Sequence, residues 1–133
     1  MIRRLHTLIL VLITTNLFSQ KNEHNIDSIL QEIRMSNRCE LSNSIGYAGS
    51  PSLQNERMSK LAAFGDSTSL VNKLITENNP VASFYLWRAL QSKSIPIPEN
   101  LMKKLQEDRR KVSVINGCIK RTETLSHIIG LSL

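Results

Sequence analysis

The chain has 133 residues, of which 41% are hydrophobic and 21% charged, and its formal net charge is +6. That length bounds it to one domain, and that balance excludes a disordered chain and calls for a packed core. Nor is the positive charge arranged for nucleic acid. Lys103, Lys104, Arg109, Arg110 and Lys111 alternate with Glu99, Glu107 and Asp108 and lack aromatic base-readers, so they read as a solvated helix face.

The first twenty residues, MIRRLHTLILVLITTNLFSQ, run from a basic start (Arg3, Arg4) through an apolar stretch, Leu8 to Ile13 with Leu17 and Phe18, to small and polar residues. This is the layout of a secretory signal peptide, too short to span a bilayer, which takes roughly 20 apolar residues. Cleavage is expected after Ser19, releasing residues 20–133 as one helical domain, periplasmic or secreted, with no stable membrane insertion. Losing Arg3 and Arg4 lowers the formal charge from +6 to +4. Cys39 and Cys118 are the two cysteines, both after the leader. In an oxidising compartment an even count predicts a structural disulfide between them, worth roughly 4 kcal/mol on the chain-entropy account. Two unpaired buried thiols are the other reading.

Ile26, Ile29, Leu30 and Ile33 recur at helical spacing, with Asn22 or Asn25 as cap. The stretch RCELSNSIGYAGSP then breaks the pattern with Gly46, Gly49 and Pro51. Ser50 is expected to cap a second helix opened by Pro51, with Leu53, Met58, Leu61 and Phe64 on its inner face and Gly65 at its end. Asp66 caps a third helix with the stripe Leu70, Val71, Leu74 and Ile75. Asn79 and Pro80 start a fourth, in which Val81, Phe84, Tyr85, Leu86, Trp87, Ala89 and Leu90 leave few polar positions. A helix apolar on nearly all sides must be covered on more than one. Leu74, Val81, Phe84, Trp87 and Leu90 are therefore the expected core.

After the extended SIPIPEN, Pro98 is expected to open a fifth helix with Leu101, Met102, Leu105 and Val112 inward. KVSVINGCI reads equally as a short extended piece or as irregular structure. Thr122 then caps a short sixth helix burying Leu125, Ile128 and Ile129, with Gly130 as its stop. The expected fold class is all-α: about six helices in an irregular stack, with little or no sheet.

DSTSLVNKLITEN and NPVASFYLWRAL, joined at an Asn-Asn-Pro turn, resemble one unit of HEAT-type helical repeats over residues 66–91. The second helix of such a unit often opens with an acidic or amide residue, Pro and Val and runs to an Ala-Leu pair; Asn79, Pro80, Val81, Ala89 and Leu90 stand there here. The resemblance implies stacked helix pairs used as a binding scaffold rather than for catalysis.

Catalytic patterns are missing. His6, His24 and His127 form no ligand pair, and neither zinc, dithiol, nucleophile-elbow nor phosphate-loop motifs occur. GYAGS, residues 46–50, has two glycines before a helix start but lacks the lysine and preceding strand of a phosphate loop, so it reads as a simple loop. No metal or cofactor is expected. The expectation is an exported, non-catalytic binding module with a protein partner, an inhibitor or immunity-type protein being one specialised form. Its contact is expected on the loop Ser42 to Ser52, at Tyr47 and Ser50. A small extracytoplasmic enzyme using Cys39 or Cys118 is the alternative.

Overall fold

The structure, a computed structural model, describes residues 25–131. The expected leader, the alternative cap Asn22, and His6 and His24 lie outside the described residues. Helix α1 covers residues 25–36. Strand β1 (Arg38–Glu40) follows, then β2 (Ser44–Ile45) and β3 (Ser50–Pro51). Helices α2 (Leu53–Phe64), α3 (Ser67–Thr76), α4 (Pro80–Ser92) and α5 (Glu99–Gln106) come next, and β4 (Lys111–Asn116), β5 (Ile119–Thr124) and α6 (Leu125–Gly130) close the order.

Six helices and five strands among the described residues make this a mixed α/β fold, which corrects the all-α expectation. The main sheet has the order β1-β4-β5. β1 lies parallel to β4, with Cys39 opposite Val114, and β4 is antiparallel to β5, with Val112 opposite Glu123. β2 and β3 form a separate two-stranded ribbon. Asn116 and Ile119 pair across a two-residue turn, where Gly117 takes φ +57°, a conformation that a tight hairpin turn requires and glycine adopts without strain. Val112, expected on the fifth helix, is a buried β4 residue. Thr122, expected to cap the last helix, lies in β5.

Helix α4 is central, packing against α2, α3, α6, β1 and β4. Every residue from Val81 to Leu90 is buried except Arg88, which is partly exposed. Leu74, Val81, Phe84, Trp87 and Leu90 all lie in the single hydrophobic core described, beside Ile26, Leu30, Ile33, Val114, Leu125 and Ile128. The Phe84 and Tyr85 rings meet edge-on at 5.2 Å, the Phe84 and Trp87 rings lie 5.9 Å apart, and the Arg88 guanidinium sits 5.7 Å from the Phe84 centroid. Each such aromatic pair adds roughly 0.5–1.5 kcal/mol beyond the area it buries. The Trp87 indole N–H is buried without a hydrogen-bond partner, so this residue stabilises by packing alone.

Helix starts follow side-chain capping. Asn79 accepts from the Ala82 amide at 3.0 Å with Pro80 at the first helical position, and Asp66 accepts from the Ser69 amide at 2.7 Å. Three expected starts are displaced. Ser52, not Ser50, caps α2 and accepts from the Asn55 amide at 3.0 Å, because Ser50 and Pro51 are taken up by β3. Thr124, not Thr122, caps α6 through the His127 amide at 3.3 Å, and Pro98 is the residue before α5 rather than its first. Helix α2 also turns a different face inward: Gln54 and Leu61 are buried, while Leu53 and Phe64 are exposed. The Gln54 amide donates to the carbonyls of Arg38 at 2.8 Å and Ile33 at 3.4 Å, satisfying the chain where α1 passes into β1. No helix among the described residues is long and apolar enough to cross a membrane.

Candidate functional site

The loop between β1 and α2 is fixed at its base by hydrogen bonds. Ser42 Oγ accepts from the Gly117 amide at 2.7 Å and donates to the Ser44 carbonyl at 2.8 Å. The Gly46 amide donates to the Gly117 carbonyl at 3.0 Å, and the Asn55 side chain donates to the Ser42 carbonyl at 3.2 Å. Two turns far apart in sequence, residues 46–49 and 117–118, are thus joined into one composite tip. Gly46 and Gly49 hold positive φ of 75° and 64°, backbone shapes that side chains resist. Tyr47 stands between them with 98% of its surface exposed, and Ile119, beside the second turn, is 65% exposed. Ser50 is exposed on β3.

Beneath this loop lies a buried polar cluster that residue patterning did not reveal. Glu40 is buried, and its carboxylate accepts from Ser52 Oγ at 2.5 Å, the Gln54 amide at 3.3 Å and the Arg38 guanidinium at 2.8 Å. The carboxylate sits at the N-terminal end of α2, where free amides and the helix dipole favour an anion. This is a structural pin: it ties β1 to the start of α2 and so sets the loop between them.

The strand register works against the expected Cys39–Cys118 disulfide. Both thiols are free, Cys39 buried in β1 and Cys118 exposed at the β4–β5 turn. Cys39 is registered with Val114, four residues before Cys118 along the same hairpin. At roughly 3.3 Å per strand residue, that offset exceeds the separation of about 7 Å that a disulfide tolerates. Burial, only partly offset by the Arg88 charge, pushes the Cys39 thiol up to about 12, so it is protonated and unreactive near neutrality.

At the other end of β4, the α3–α4 turn separates two open clefts. One, of about 400 Å³, is lined by Asp27, Arg34, Lys73, Thr76 and Glu77. Its charges are paired: Arg34 with Glu77 at 2.6 Å and Lys73 with Asp27 at 2.7 Å. The second, of about 680 Å³, lies between that turn and α5 with the loop after it. Among the described residues no group of three or more His, Cys, Asp or Glu side chains is placed to hold a metal ion.

Compared with protein-family models, curated proteins and solved structures, the chain shows no significant match to any of them.

Proposed function

We propose that this chain is an exported, non-catalytic binding module that grips a protein partner through the composite tip carrying Tyr47. The observation that carries this reading is a tyrosine ring, 98% exposed, on a loop whose base is hydrogen-bonded to the neighbouring β-turn. A loop fixed at its base loses little backbone freedom on docking, and Tyr is among the residues that dominate interface energies. Ile119 adds apolar surface from the joined turn, and Ser50 supplies a polar neighbour on β3. An inhibitor of another exported protein is one form such a module takes. The HEAT-like sequence of α3 and α4 supports a scaffold role in the same sense, and the leader supports export.

Placing a photo-crosslinking aromatic at position 47 of the full chain, in its own cells, tests this reading. One protein should be captured from position 47, none from a control at exposed Ser59 on α2, and Tyr47→Ala should abolish co-purification of the same protein while leaving the fold intact. Equal capture from both positions, or none from either, would refute the tip as the contact.

A further inference from the structure

The second cleft carries an unbalanced charge. It is lined by Lys103 and Lys104 of α5, Arg109 and Arg110 of the following loop, Asn78 and Asn100, and the acidic residues Glu77, Glu107 and Asp108. Two of these carboxylates are already neutralised. Glu77 is bound by Arg34 through Nη2 at 2.6 Å and Nε at 3.3 Å, and Asp108 by Arg110 at 2.6 to 3.1 Å. Arg110 also donates to the Asn78 carbonyl, clamping the α3–α4 turn to the loop after α5. Lys103, Lys104 and Arg109 then face Glu107 alone, a surplus of two positive charges around one hollow. Lysines in the last turn of a helix offset its dipole, which accounts for Lys103 and Lys104. It does not account for Arg109, which lies beyond the helix on the same cleft.

We propose that this cleft binds a compact oxyanion of the phosphate type, held by Lys103, Lys104 and Arg109 with Asn78 and Asn100 donating neutral hydrogen bonds. The cleft, about 680 Å³ and open to solvent, has ample room for such a group. Two ammonium groups and a guanidinium on the lining of one cleft, with a single carboxylate against them, supply the donors and the positive charge that a phosphate-type dianion takes. The cleft and the tip lie at opposite ends of β4, so the two sites are separate.

Pyrophosphate titrated into the full-length protein at constant ionic strength, followed by amide NMR shifts, tests the proposal. Saturable shifts should be confined to residues 78, 100 and 103–110, and the triple variant Lys103→Gln/Lys104→Gln/Arg109→Gln should weaken binding at least tenfold while unfolding at the wild-type denaturant midpoint. Flotation with vesicles containing anionic phospholipid distinguishes a headgroup from a soluble phosphate, either of which supplies the proposed group. Shifts spread over all lysines, binding unchanged in the triple variant, or binding of a polyglutamate peptide but not pyrophosphate would each overturn it, the last in favour of an acidic protein segment.

Discussion

The Tyr85 hydroxyl sits over the backbone of Glu40, accepting from its amide at 2.7 Å and reaching its carbonyl at 3.4 Å. One side chain of the central helix thereby completes the hydrogen bonding of the strand beneath the Tyr47 loop. Burial raises the phenol's pKa and outweighs the hydrogen bond with the Glu40 backbone, which lowers it, so the hydroxyl remains a neutral donor and acceptor.

Tyr85→Phe should therefore cost more than the loss of one exposed hydroxyl. The Glu40 amide would be left buried and unpaired, a penalty of about 1–3 kcal/mol. Urea melts should show that loss, and hydrogen exchange at the Glu40 amide should accelerate beyond the global change. A variant as stable as wild type, with unchanged exchange, would mean that the amide finds water or another partner there.

Thiol chemistry separates the two cysteines. In the native protein one thiol, Cys118, should react promptly with an aromatic disulfide reagent at pH 8, while Cys39 reacts only as the protein opens. Two thiols should appear in denaturant. Cys39→Ala should leave the fast native reaction intact, and Cys118→Ala should remove it. Zero thiols in denaturant would show that the chain forms the bridge that the strand register disfavours.

Helices announced themselves in the sequence where one stripe is buried and the rest is wet. Ile26, Ile29, Leu30 and Ile33 mark α1, and Leu70 and Leu74 mark α3, because periodic burial leaves periodic hydrophobicity. The dense apolar run of α4 signalled its central place for the same reason. Strands were less legible. β1 is three residues long, and β5 is exposed from Ile119 to Thr122, so neither imposes an alternating pattern; only Val112 and Val114 of β4 do. The inner face of α2 was misread because it buries Gln54, whose task is to satisfy carbonyls rather than to exclude water. Gly46 and Gly49 marked Tyr47 as part of a loop, but the loop's anchorage on Gly117 is made by backbone atoms and a serine hydroxyl from distant segments. Residue type carries no trace of such a contact. The second cleft is similar: interleaved charges look solvated until Glu77 and Asp108 are seen to be engaged.

Gly65 shows a constraint of space rather than of backbone angle. Its φ of −88° suits any residue, yet a Cβ there would lie 2.4 Å from Leu70 Cδ2 and 2.5 Å from Cγ. Leu70 is fully buried, so it has little room to yield. Gly65→Ala should destabilise by about 1–3 kcal/mol through overpacking. Combining it with Leu70→Ala should cost less than the two single changes added, since the second removes the atoms the first strikes. Strict additivity in denaturant midpoints would show that the α2–α3 junction opens freely.

The clamp beside the proposed anion cleft gives stability a defined acid dependence. Burial alone would raise the Asp108 pKa, but the side-chain and backbone hydrogen bonds from Arg110, with the charges of Arg110 and Lys104, outweigh it and hold the carboxyl below its ordinary value of 3.8. A carboxylate depressed in the folded state binds its proton more readily when unfolded, so its contribution is whole above the unfolded pKa and is lost as pH falls through the folded one. Asp108→Asn should thus be less stable than wild type at pH 7 and 5, and the gap should begin to narrow only below about pH 4. Denaturant midpoints of both proteins from pH 7 to pH 2.5 measure it directly. A gap independent of pH would show that the Asp108–Arg110 pair is held by shape and hydrogen bonding without ionisation, and would remove the electrostatic basis for Arg110 being spent on Asp108 rather than on a bound anion.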